Sequence, residues 1–490
     1  MVFGEAMAFW RRNMPEGMKL RSPWRATHIA DPGGSLSLDV YDSTGRFPRT
    51  SPLPLEEFVA YGRWFQPMNR KQQAVADVGD TKPAGVPGAL VLGGAHGSLA
   101  VARSLGRRGI PVWVITDDHP IATFSRYCER SFCWDGPQNE GAVAYLLELA
   151  ERCGLSGWVL FAGGDAEVRL IARHRAELSG VFRVTTPPWS VAQFAYDKRL
   201  THQRAAATGV DYLWICYPRS RRELAELECS FPLIFQPRFR QGHDPFTSAK
   251  AWRVNNREEL LSRYDQAAAL VGKDAISLQE LIPGGGAHQF SYAAVWHQGR
   301  PVASLTARRT RQYPIDFGFT STCVETIEHE QVEEAACRFL RSLEYDGIVE
   351  VEFKHDCRDD RYKLLDVNAR PWTWNALGAA AGTDFPYIAW QVAVGQQVPP
   401  LRGNSGATWL HLTRDVAAVA QHLARGEDFS TGYVKALRGP LAFAAFSRDD
   451  PLPAIVDLPL TIWRTLKRGF SMRVRNRSAA FLVEESSKAD

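Results

Sequence analysis

Short apolar runs alternate with stretches of helical spacing between residues 86 and 187. The segments ALVLGG, IPVWVIT and WVLFAGGD have the character of buried strands, and SLAVARSLGRRG and AYLLELAERCG carry apolar residues at helical spacing. Strands that alternate with helices favour a parallel sheet, because parallel neighbours need a crossover connection. We therefore predict a small doubly wound domain with a parallel sheet over residues 86–187.

A mixed pattern follows this domain. Prolines flank the strand-like segment FPLIFQP, NREELLSRYDQAAALVG has helical spacing, and strand-like runs extend from ISLQELIPGG to YKLLDVN. The predicted fold class of the whole chain is therefore α/β combined with α+β. The predicted divisions are an N-terminal extension at 1–85, the α/β domain at 86–187, a small subdomain at 188–275, a larger core at 276–400 and a C-terminal appendage at 401–490.

The most informative segment is IVEVEFKHDCRDDRYKLLDVNAR at 348–370, which predicts an antiparallel hairpin. With Lys354 opposite Tyr362, the two-residue period puts Leu365 and Val367 on an apolar face and four polar side chains on the other. The four are Glu350, Glu352, Asp366 and Asn368. Three carboxylates and an amide repel one another unless a cation is bound, and such oxygen ligands suit Mg²⁺. The alternative is a solvated sheet face.

Composition narrows the function classes. The net charge of +4 over 490 residues gives no case for nucleic-acid binding. The eight cysteines include no C-x-x-C pair, which favours a reducing, cytoplasmic location over a disulfide scaffold. There is no run of about 18 apolar residues, and the first residues lack the apolar core of a signal peptide, so we predict neither a transmembrane segment nor a leader.

Residues 88–400 resemble the ATP-grasp superfamily, and in particular its predicted ATP-dependent carboligases. That superfamily places a glutamate on one strand and an E-x-N-x-R element on the next, where they hold two Mg²⁺ ions between ATP phosphates. Glu352 matches the glutamate, and DVNAR at 366–370 matches the element with Asp in place of Glu. The ligands of Mg²⁺, or of Mn²⁺ in its place, that the resemblance implies are Glu352, Asp366 and Asn368.

The resemblance implies further positions around a bound nucleotide. In the superfamily a D-K pair opens the small clamp subdomain, a hinge frames adenine, and a basic strand stabilises the transferring phosphate. The matching nucleotide-binding positions are Lys198, Gln279, Glu280 and Ile282, with His288 or Gln289 toward the ribose. The matching catalytic positions are Arg308, Arg309 and Arg311, with Arg370 toward phosphate or acyl phosphate. The segment GDAE at 164–167 resembles an element that faces the active-site cleft.

The chain departs from the family pattern at one of its most characteristic places. FPLIFQP resembles a strand that carries a phosphate-binding lysine in relatives, and here Gln236 stands at that position. Lys250 or Arg238 can supply the missing charge. Gln236 also motivates an alternative function, a nucleotide-binding pseudoenzyme with a scaffolding or regulatory role.

Three other segments admit two interpretations each. GGAHGS at 93–98 lacks the G-x-G-x-x-G spacing of a dinucleotide site, which favours a tight strand–helix turn with His96 near the substrate. Residues 1–70 resemble an internal portion of flavin-dependent N-hydroxylating monooxygenases, which implies a remnant without flavin chemistry or, as an alternative, a flavoprotein. Trp372 and Trp374 either line an acceptor pocket or pack in the interior.

Together these features imply an ATP-dependent ligase. The γ-phosphate of ATP passes to a substrate carboxylate, and an amine then displaces phosphate from the acyl phosphate to form an amide or peptide-like bond. The expected cofactors are ATP and Mg²⁺. The expected partners are a small-molecule carboxylate and a small-molecule amine, and a homodimer is left open.

Overall fold

The computed structural model describes residues 25–30, 36–41, 85–237, 245–248, 251–315, 320–426 and 439–465. Within these residues no helix is both long enough and apolar enough to cross a membrane. The chain divides into two compact units, residues 1–68 and 69–490. In the first unit, strands β1 (Arg25–Ala30) and β2 (Leu36–Tyr41) form an antiparallel pair. Otherwise the segment that resembles flavin monooxygenases lies outside the described residues.

Five parallel strands form the doubly wound domain that the sequence predicts. The strands are β3 (Ala89–Leu92), β4 (Val112–Thr116), β5 (Arg130–Cys133), β6 (Val159–Ala162) and β7 (Arg183–Val184), in the order β5-β4-β3-β6-β7. The helices are α1 (His96–Gly106), α2 (Ala142–Cys153), α3 (Asp165–Arg173) and α4 (Arg175–Ser179), with a 3₁₀ turn at Pro120–Phe124. Every residue of the three central strands is buried. Their continuous apolar runs follow from this burial, since both faces of a parallel sheet are covered.

Two helices, α5 (Trp189–Tyr196) and α6 (Lys198–Ala207), lead to a four-stranded antiparallel sheet. Its strands are β8 (Ile215–Cys216), β9 (Leu233–Pro237), β10 (Trp252–Val254) and β11 (Ile276–Glu280), in the order β10-β9-β11-β8. Its helices are α7 (Arg221–Glu226), α8 (Pro245–Ser248) and α9 (Arg257–Val271), with a 3₁₀ turn at Lys273–Ala275. The carboxylate of Asp197 accepts a hydrogen bond from the Arg199 backbone N–H (2.9 Å). This cap fixes where α6 begins, and therefore where Lys198 projects.

An eight-stranded sheet forms the core. Its strands are β12 (Gln289–His297), β13 (Arg300–Tyr313), β14 (Thr320–Ile327), β15 (Gly347–Asp356), β16 (Arg361–Asn368), β17 (Leu401–Arg402), β18 (Thr408–Leu410) and β19 (Leu441–Phe443). The order is β16-β15-β12-β13-β14-β18-β19, and β17 pairs with β13. The helices are α10 (Glu330–Ser342), α11 (Ala376–Ala380), α12 (Phe385–Ala393), α13 (Leu412–Ala424) and α14 (452–465), with a 3₁₀ turn at Gly286–His288. Strands β18 and β19, from the predicted appendage, extend this sheet.

The predicted hairpin is present as β15 and β16, but the predicted register is wrong. Lys354 pairs with Lys363 rather than with Tyr362. On the acidic half, Glu352 pairs with Asp366, which is two residues beyond the partner that the predicted register implies. A shift of two residues keeps each side chain on its own face, because side chains alternate with a period of two. The acidic residues therefore share one face, as predicted.

A bulge in β16 causes the change of register. The pairing shifts between Glu352 and Phe353, which leaves Leu365 as an extra residue on β16. Leu364 takes the fully buried position, and Leu365 lines a cavity. The prediction that Leu365 lies on the apolar face is therefore wrong.

The N-terminal domain meets the core at the first turn of α1. A Cβ atom on Gly97 would lie only 2.8 Å from the carbonyl oxygen of Pro371, so a larger residue would force the two parts away from each other. Asn375 Nδ2 donates a hydrogen bond to the carbonyl oxygen of Gly97 (3.2 Å). This contact holds the N-terminal domain against the segment that follows β16.

Candidate active site

A cavity of about 1430 Å³ lies where the α/β domain, the four-stranded sheet and the core sheet meet. It exceeds the roughly 300–1,000 Å³ of a pocket for one small ligand. The sequence-predicted residues that line it include Lys198, Gln236, Gln279, Glu280, Ile282, Gln289, Arg309, Glu350, Glu352, Asp366, Asn368, Arg370, Trp372 and Trp374. Arg308, Arg311 and His288 are outside it. The structure thus brings most of the predicted positions to one place.

The polar face of β15 and β16 forms one wall of the cavity. Asn368 Nδ2 donates hydrogen bonds to Glu350 Oε2 (3.0 Å) and to Glu352 Oε1 (3.3 Å). Glu350 is 2% exposed, and burial, followed by the charge of Glu352, raises its pKa to about 8. A bound cation reduces the repulsion between carboxylates that lie this close together, and carboxylate oxygens are the ligands that Mg²⁺ prefers. The residues of this wall therefore fit a divalent metal.

Two cations face this acidic wall. Lys198 Nζ lies 3.4 Å from Asp366 Oδ2, and a terminal guanidinium nitrogen of Arg309 lies 3.5 Å from Glu352 Oε2. Acids of this kind bind a metal and cations bind phosphate oxygens, so the two sets of side chains together suit a metal-bound polyphosphate.

The end of β11 and the apolar segment that follows it form another wall of the cavity, which contains one unsatisfied acceptor. Gln279 is 3% exposed, and its Oε1 has no hydrogen-bond partner within the described residues. The carboxylate of Glu280 is already engaged, since it accepts a hydrogen bond from the Trp214 backbone (2.8 Å) and pairs with Lys363 (3.4 Å). Ile282 is 7% exposed and adds apolar surface. Such a wall suits a planar base that carries an amino group.

The segment that includes the acidic strand β16 matches a known family. Residues 319–401 match the model described as carbamoyl-phosphate synthase L chain, ATP binding domain. The biotin carboxylase from Campylobacter jejuni superposes with a TM-score of 0.51 at 14% identity, over 64% of this chain and 72% of that one. The N5-carboxyaminoimidazole synthetase from Staphylococcus aureus gives a TM-score of 0.50 at 13% identity, over 64% and 79%. The chain has the ATP-grasp fold.

A curated relative is similar to part of this chain. The D-aspartate ligase of Enterococcus faecium (strain Aus0004) is 24% identical over 241 residues. The alignment covers 44% of this chain and 53% of the ligase. The chain therefore spans about half the length of the curated relative that it matches.

The structure separates the three arginines that the ATP-grasp resemblance selects on β13. Arg309 lines the cavity. Arg308 Nε donates to Glu325 on the neighbouring strand (2.9 Å), and Arg311 makes two buried hydrogen bonds to Asp415 on α13 (2.9 and 2.8 Å). Register shifts on both sides of Arg311 break the two-residue period of the strand. Sequence spacing alone therefore did not show which arginine reaches the cavity.

Gln236, which stands where the resemblance implies a lysine, lines the cavity. Gln236 is on β9, and its carbonyl oxygen accepts a hydrogen bond from Ser277 Oγ (3.0 Å). Gln236 therefore presents an amide to the cavity at the position where the resemblance led us to expect a lysine. The two proposed substitutes, Lys250 and Arg238, lie outside the described residues.

Lys354 also lines the cavity, although it was not among the site residues predicted from the sequence. Its Nζ donates to the carbonyl oxygens of Gly284 and Gly285 (2.7 Å each), and burial lowers its pKa to about 8. The signal was present in the sequence, because Lys354 follows Glu352 by two residues and therefore shares the face of the acidic residues.

His288 packs against another ring outside the cavity. Its imidazole stacks on His355 with ring centroids 5.8 Å apart and planes 3° apart. Gln289, the alternative that we considered for the ribose, does line the cavity and donates a hydrogen bond to Glu352. The geometry thus favours Gln289 over His288.

The GDAE segment places two carboxyl groups on the N-terminal wall. Asp165 accepts a hydrogen bond from Arg370 Nε (2.6 Å), which ties α3 to the end of β16. Glu167 is 8% exposed, and burial raises its pKa to about 7. A carboxyl group that titrates near neutral pH inside a cavity suits contact with an amine or proton transfer.

Trp372 and Trp374 touch the cavity but belong mainly to the interior. They are 2% and 3% exposed. Their ring centroids lie 5.2 Å apart, and Trp372 lies 5.3 Å from Phe385. The packing interpretation accounts for most of their surface, so little of either ring is left for a ligand.

His96 lies away from the cavity, contrary to our expectation of a substrate contact. It is 4% exposed, and its Nε2 lies 3.0 Å from Asp457 Oδ1. The glycines around it are explained by close packing, because a Cβ atom on Gly94 would lie 2.6 Å from the carbonyl oxygen of His119. The tight-turn interpretation of GGAHGS is therefore favoured over a dinucleotide site.

Proposed function

We propose that this chain is an ATP-dependent ligase that joins a carboxylate to an amine through an acyl phosphate and releases ADP and phosphate. The observation that carries the proposal is the single cavity in which the acidic face of β15 and β16 confronts Lys198 and Arg309. Phosphoryl transfer needs this combination of metal ligands and cations. The similarity to a D-aspartate ligase supports the proposal.

The proposed nucleotide position runs from the apolar wall to the acidic face. The base lies near Gln279 and Ile282, and the phosphates lie near Lys198 and Arg309. The side chains that would hold Mg²⁺ are Glu352, Asp366 and Asn368. Mn²⁺ accepts the same oxygen ligands and would substitute for it. Bound there, the metal would neutralise the charge on the phosphates.

The proposed chemistry activates a carboxylate, which by itself is a poor electrophile. A carboxylate oxygen forms a bond to the γ-phosphorus while the bond to ADP breaks, and Arg309 and Arg370 neutralise the phosphate. The amine then attacks the carbonyl carbon, and the bond to phosphate breaks. Glu167 lies on the wall of the same cavity and accepts the proton that the nitrogen loses.

Trapping the acyl phosphate tests this proposal. The full chain is incubated with Mg²⁺, ATP, hydroxylamine and a panel of carboxylates, and the expected products are a hydroxamate, ADP and phosphate. Asp366→Asn serves as the matched control and should give no hydroxamate. Release of AMP and pyrophosphate would contradict the mechanism, because it would indicate adenylation of the carboxylate.

One observation favours a second candidate function, a nucleotide-binding pseudoenzyme with a scaffolding or regulatory role. Gln236 lines the cavity where relatives carry a cation. Binding of ATP with no hydroxamate from a broad panel of carboxylates would favour this candidate. The flavoprotein alternative rests on residues outside the described part of the chain, and an absorption spectrum of the purified protein tests it.

A further inference from the structure

Three buried side chains outside the cavity form a cluster, which we call the histidine–aspartate cluster: His96, His411 and Asp457. They are 4%, 1% and 1% exposed. Each offers one ligand atom, and these atoms all lie within 4.8 Å of one another. His96 begins α1, His411 follows β18, and Asp457 lies on α14. The cluster thus joins three segments that are distant in sequence.

The hydrogen bonds of the cluster fix the tautomer of His411. Thr413 Oγ1 donates to Asp457 Oδ2 (2.8 Å), so its oxygen accepts from His411 Nδ1 (3.1 Å). The proton of the neutral ring is therefore on Nδ1, and Nε2 carries a lone pair. His411 Nε2 is buried and has no hydrogen-bond partner within the described residues. An oriented imidazole with a bare nitrogen is the form in which histidine binds metals.

A third imidazole adjoins the cluster. The ring centroid of His96 lies 5.2 Å from that of His119 and 4.6 Å from that of His411. His119 Nε2 is also buried without a partner in the part of the chain that the structure describes. Two unpaired nitrogens at one buried place need an explanation, since buried polar atoms are normally satisfied.

The charges around the cluster act in both directions. Burial lowers the pKa of His96, the hydrogen bond and charge of Asp457 oppose this, and Arg414 and Arg464 act with burial. Arg464 is itself paired with Asp118, which moderates its effect. Neutral imidazoles favour metal binding, while the two arginines disfavour a cation. The donor set therefore favours a metal ion that binds imidazole nitrogen strongly over one that prefers oxygen.

We propose that the histidine–aspartate cluster is a Zn²⁺ site, with His96 Nε2, His411 Nε2 and a carboxylate oxygen of Asp457 as ligands. Two imidazoles with one carboxylate match the protein donors of zinc sites that keep a fourth position for water, whereas Mg²⁺ takes oxygen ligands. The bound ion would fasten α1 and α14 to the end of β18. Since Gly97 packs on Pro371 directly beside His96, the site would also steady the N-terminal wall of the cavity.

Zinc titration of the full chain tests this proposal. Protein purified without a histidine tag is stripped with EDTA, saturated with Mg²⁺ and titrated with Zn²⁺ against a chromophoric chelator. We expect one tightly bound Zn²⁺ per chain and a Zn²⁺-dependent rise in Tm. Asp457→Asn, which keeps the side-chain shape, and His411→Ala should each weaken Zn²⁺ binding by more than about 100-fold, beyond the effect of a change in an outer-shell residue.

The matched control is His297→Ala, because His297 pairs with Asp346 at the surface. It should bind Zn²⁺ like the wild type. The proposal would be overturned if stripped wild-type protein bound no Zn²⁺ in the titration. Equal Zn²⁺ affinity in wild type, Asp457→Asn and His411→Ala would also overturn it. If His411→Ala fails to fold, the visible absorption spectrum of wild-type protein loaded with Co²⁺ tests the coordination of the site. Intense visible absorption supports a four-coordinate site, and the weak absorption of a six-coordinate oxygen site overturns it.

Discussion

The acidic hairpin and the basic strand β13 belong to the same core sheet, yet they distribute their charges differently. On β15 and β16 the bulge lies on the loop side of Asp366, so the polar residues beyond it keep one face. On β13 the register shifts flank Arg311, and Arg308, Arg309 and Arg311 reach three different surroundings. The position of a bulge relative to the charged residues thus decides which side chains reach the cavity.

The largest expected effect concerns the arginine that is buried away from the cavity. Arg311→Ala should lower the free energy of unfolding by about 3–5 kcal/mol, because it leaves Asp415 as an uncompensated buried charge. Urea unfolding measures the change. Arg308→Ala is the control on the same strand. Its side chain is 43% exposed, so the expected loss is below about 1 kcal/mol. Equal losses in the two variants would contradict the contrast between these positions.

The next effect concerns the acidic face itself. Glu352→Gln or Asp366→Asn should reduce kcat/KM of the proposed ligase by about 100-fold or more, since a bound metal contributes several kcal/mol to charge stabilisation. Binding of ATP should also lose most of its Mg²⁺ dependence, which titration calorimetry with and without Mg²⁺ measures. Glu325→Gln removes a carboxylate outside the cavity and should have little effect. Unchanged affinity for Mg²⁺ and ATP in both site variants would refute the metal assignment.

A smaller effect should separate the two neighbouring arginines. Arg309→Ala removes a cation that lines the cavity, and a charge-assisted hydrogen bond is worth about 1.5–3 kcal/mol, so kcat/KM should fall about 10-fold to 100-fold. Arg308→Ala should leave kcat/KM nearly unchanged. Steady-state kinetics on both variants measure the difference. A larger loss in Arg308→Ala would mean that β13 turns its other face to the phosphates.

Most of the fold could be predicted because it follows local patterns. The predicted helix at 256–272 is observed as Arg257–Val271, and the continuous apolar run at 89–92 is a fully buried strand. Periodicity and caps act over a few residues, so the sequence carries them directly. The register of the hairpin was not predictable in this way, because Leu365 becomes a bulge only through its pairing with β15.

Local periodicity could place the acidic residues of one hairpin together, but it could not show contacts between distant segments. Glu352 and Asp366 lie on adjoining strands of one hairpin, so the two-residue period could place them. Asp457 and His96 are 361 residues apart, and no local pattern shows their contact. The protonation of His96 and Asp457 also depends on burial by three separate segments. The sequence does not show which segments meet.

The smallest expected effect concerns Gln236, where a strand of the small sheet presents an amide to the cavity. If this position faces phosphate, Gln236→Lys adds a charge-assisted hydrogen bond worth about 1.5–3 kcal/mol, and ATP should bind about tenfold more tightly or better. Gln236→Met, similar in length but uncharged, is the matched control and should not tighten binding. Titration calorimetry in the presence of Mg²⁺ measures both. A lower affinity in Gln236→Lys would mean that another cation already fills the space, because two positive charges at one phosphate oxygen repel each other. In that case the phosphate-binding charge is supplied by another residue, and glutamine at position 236 does not indicate a loss of activity.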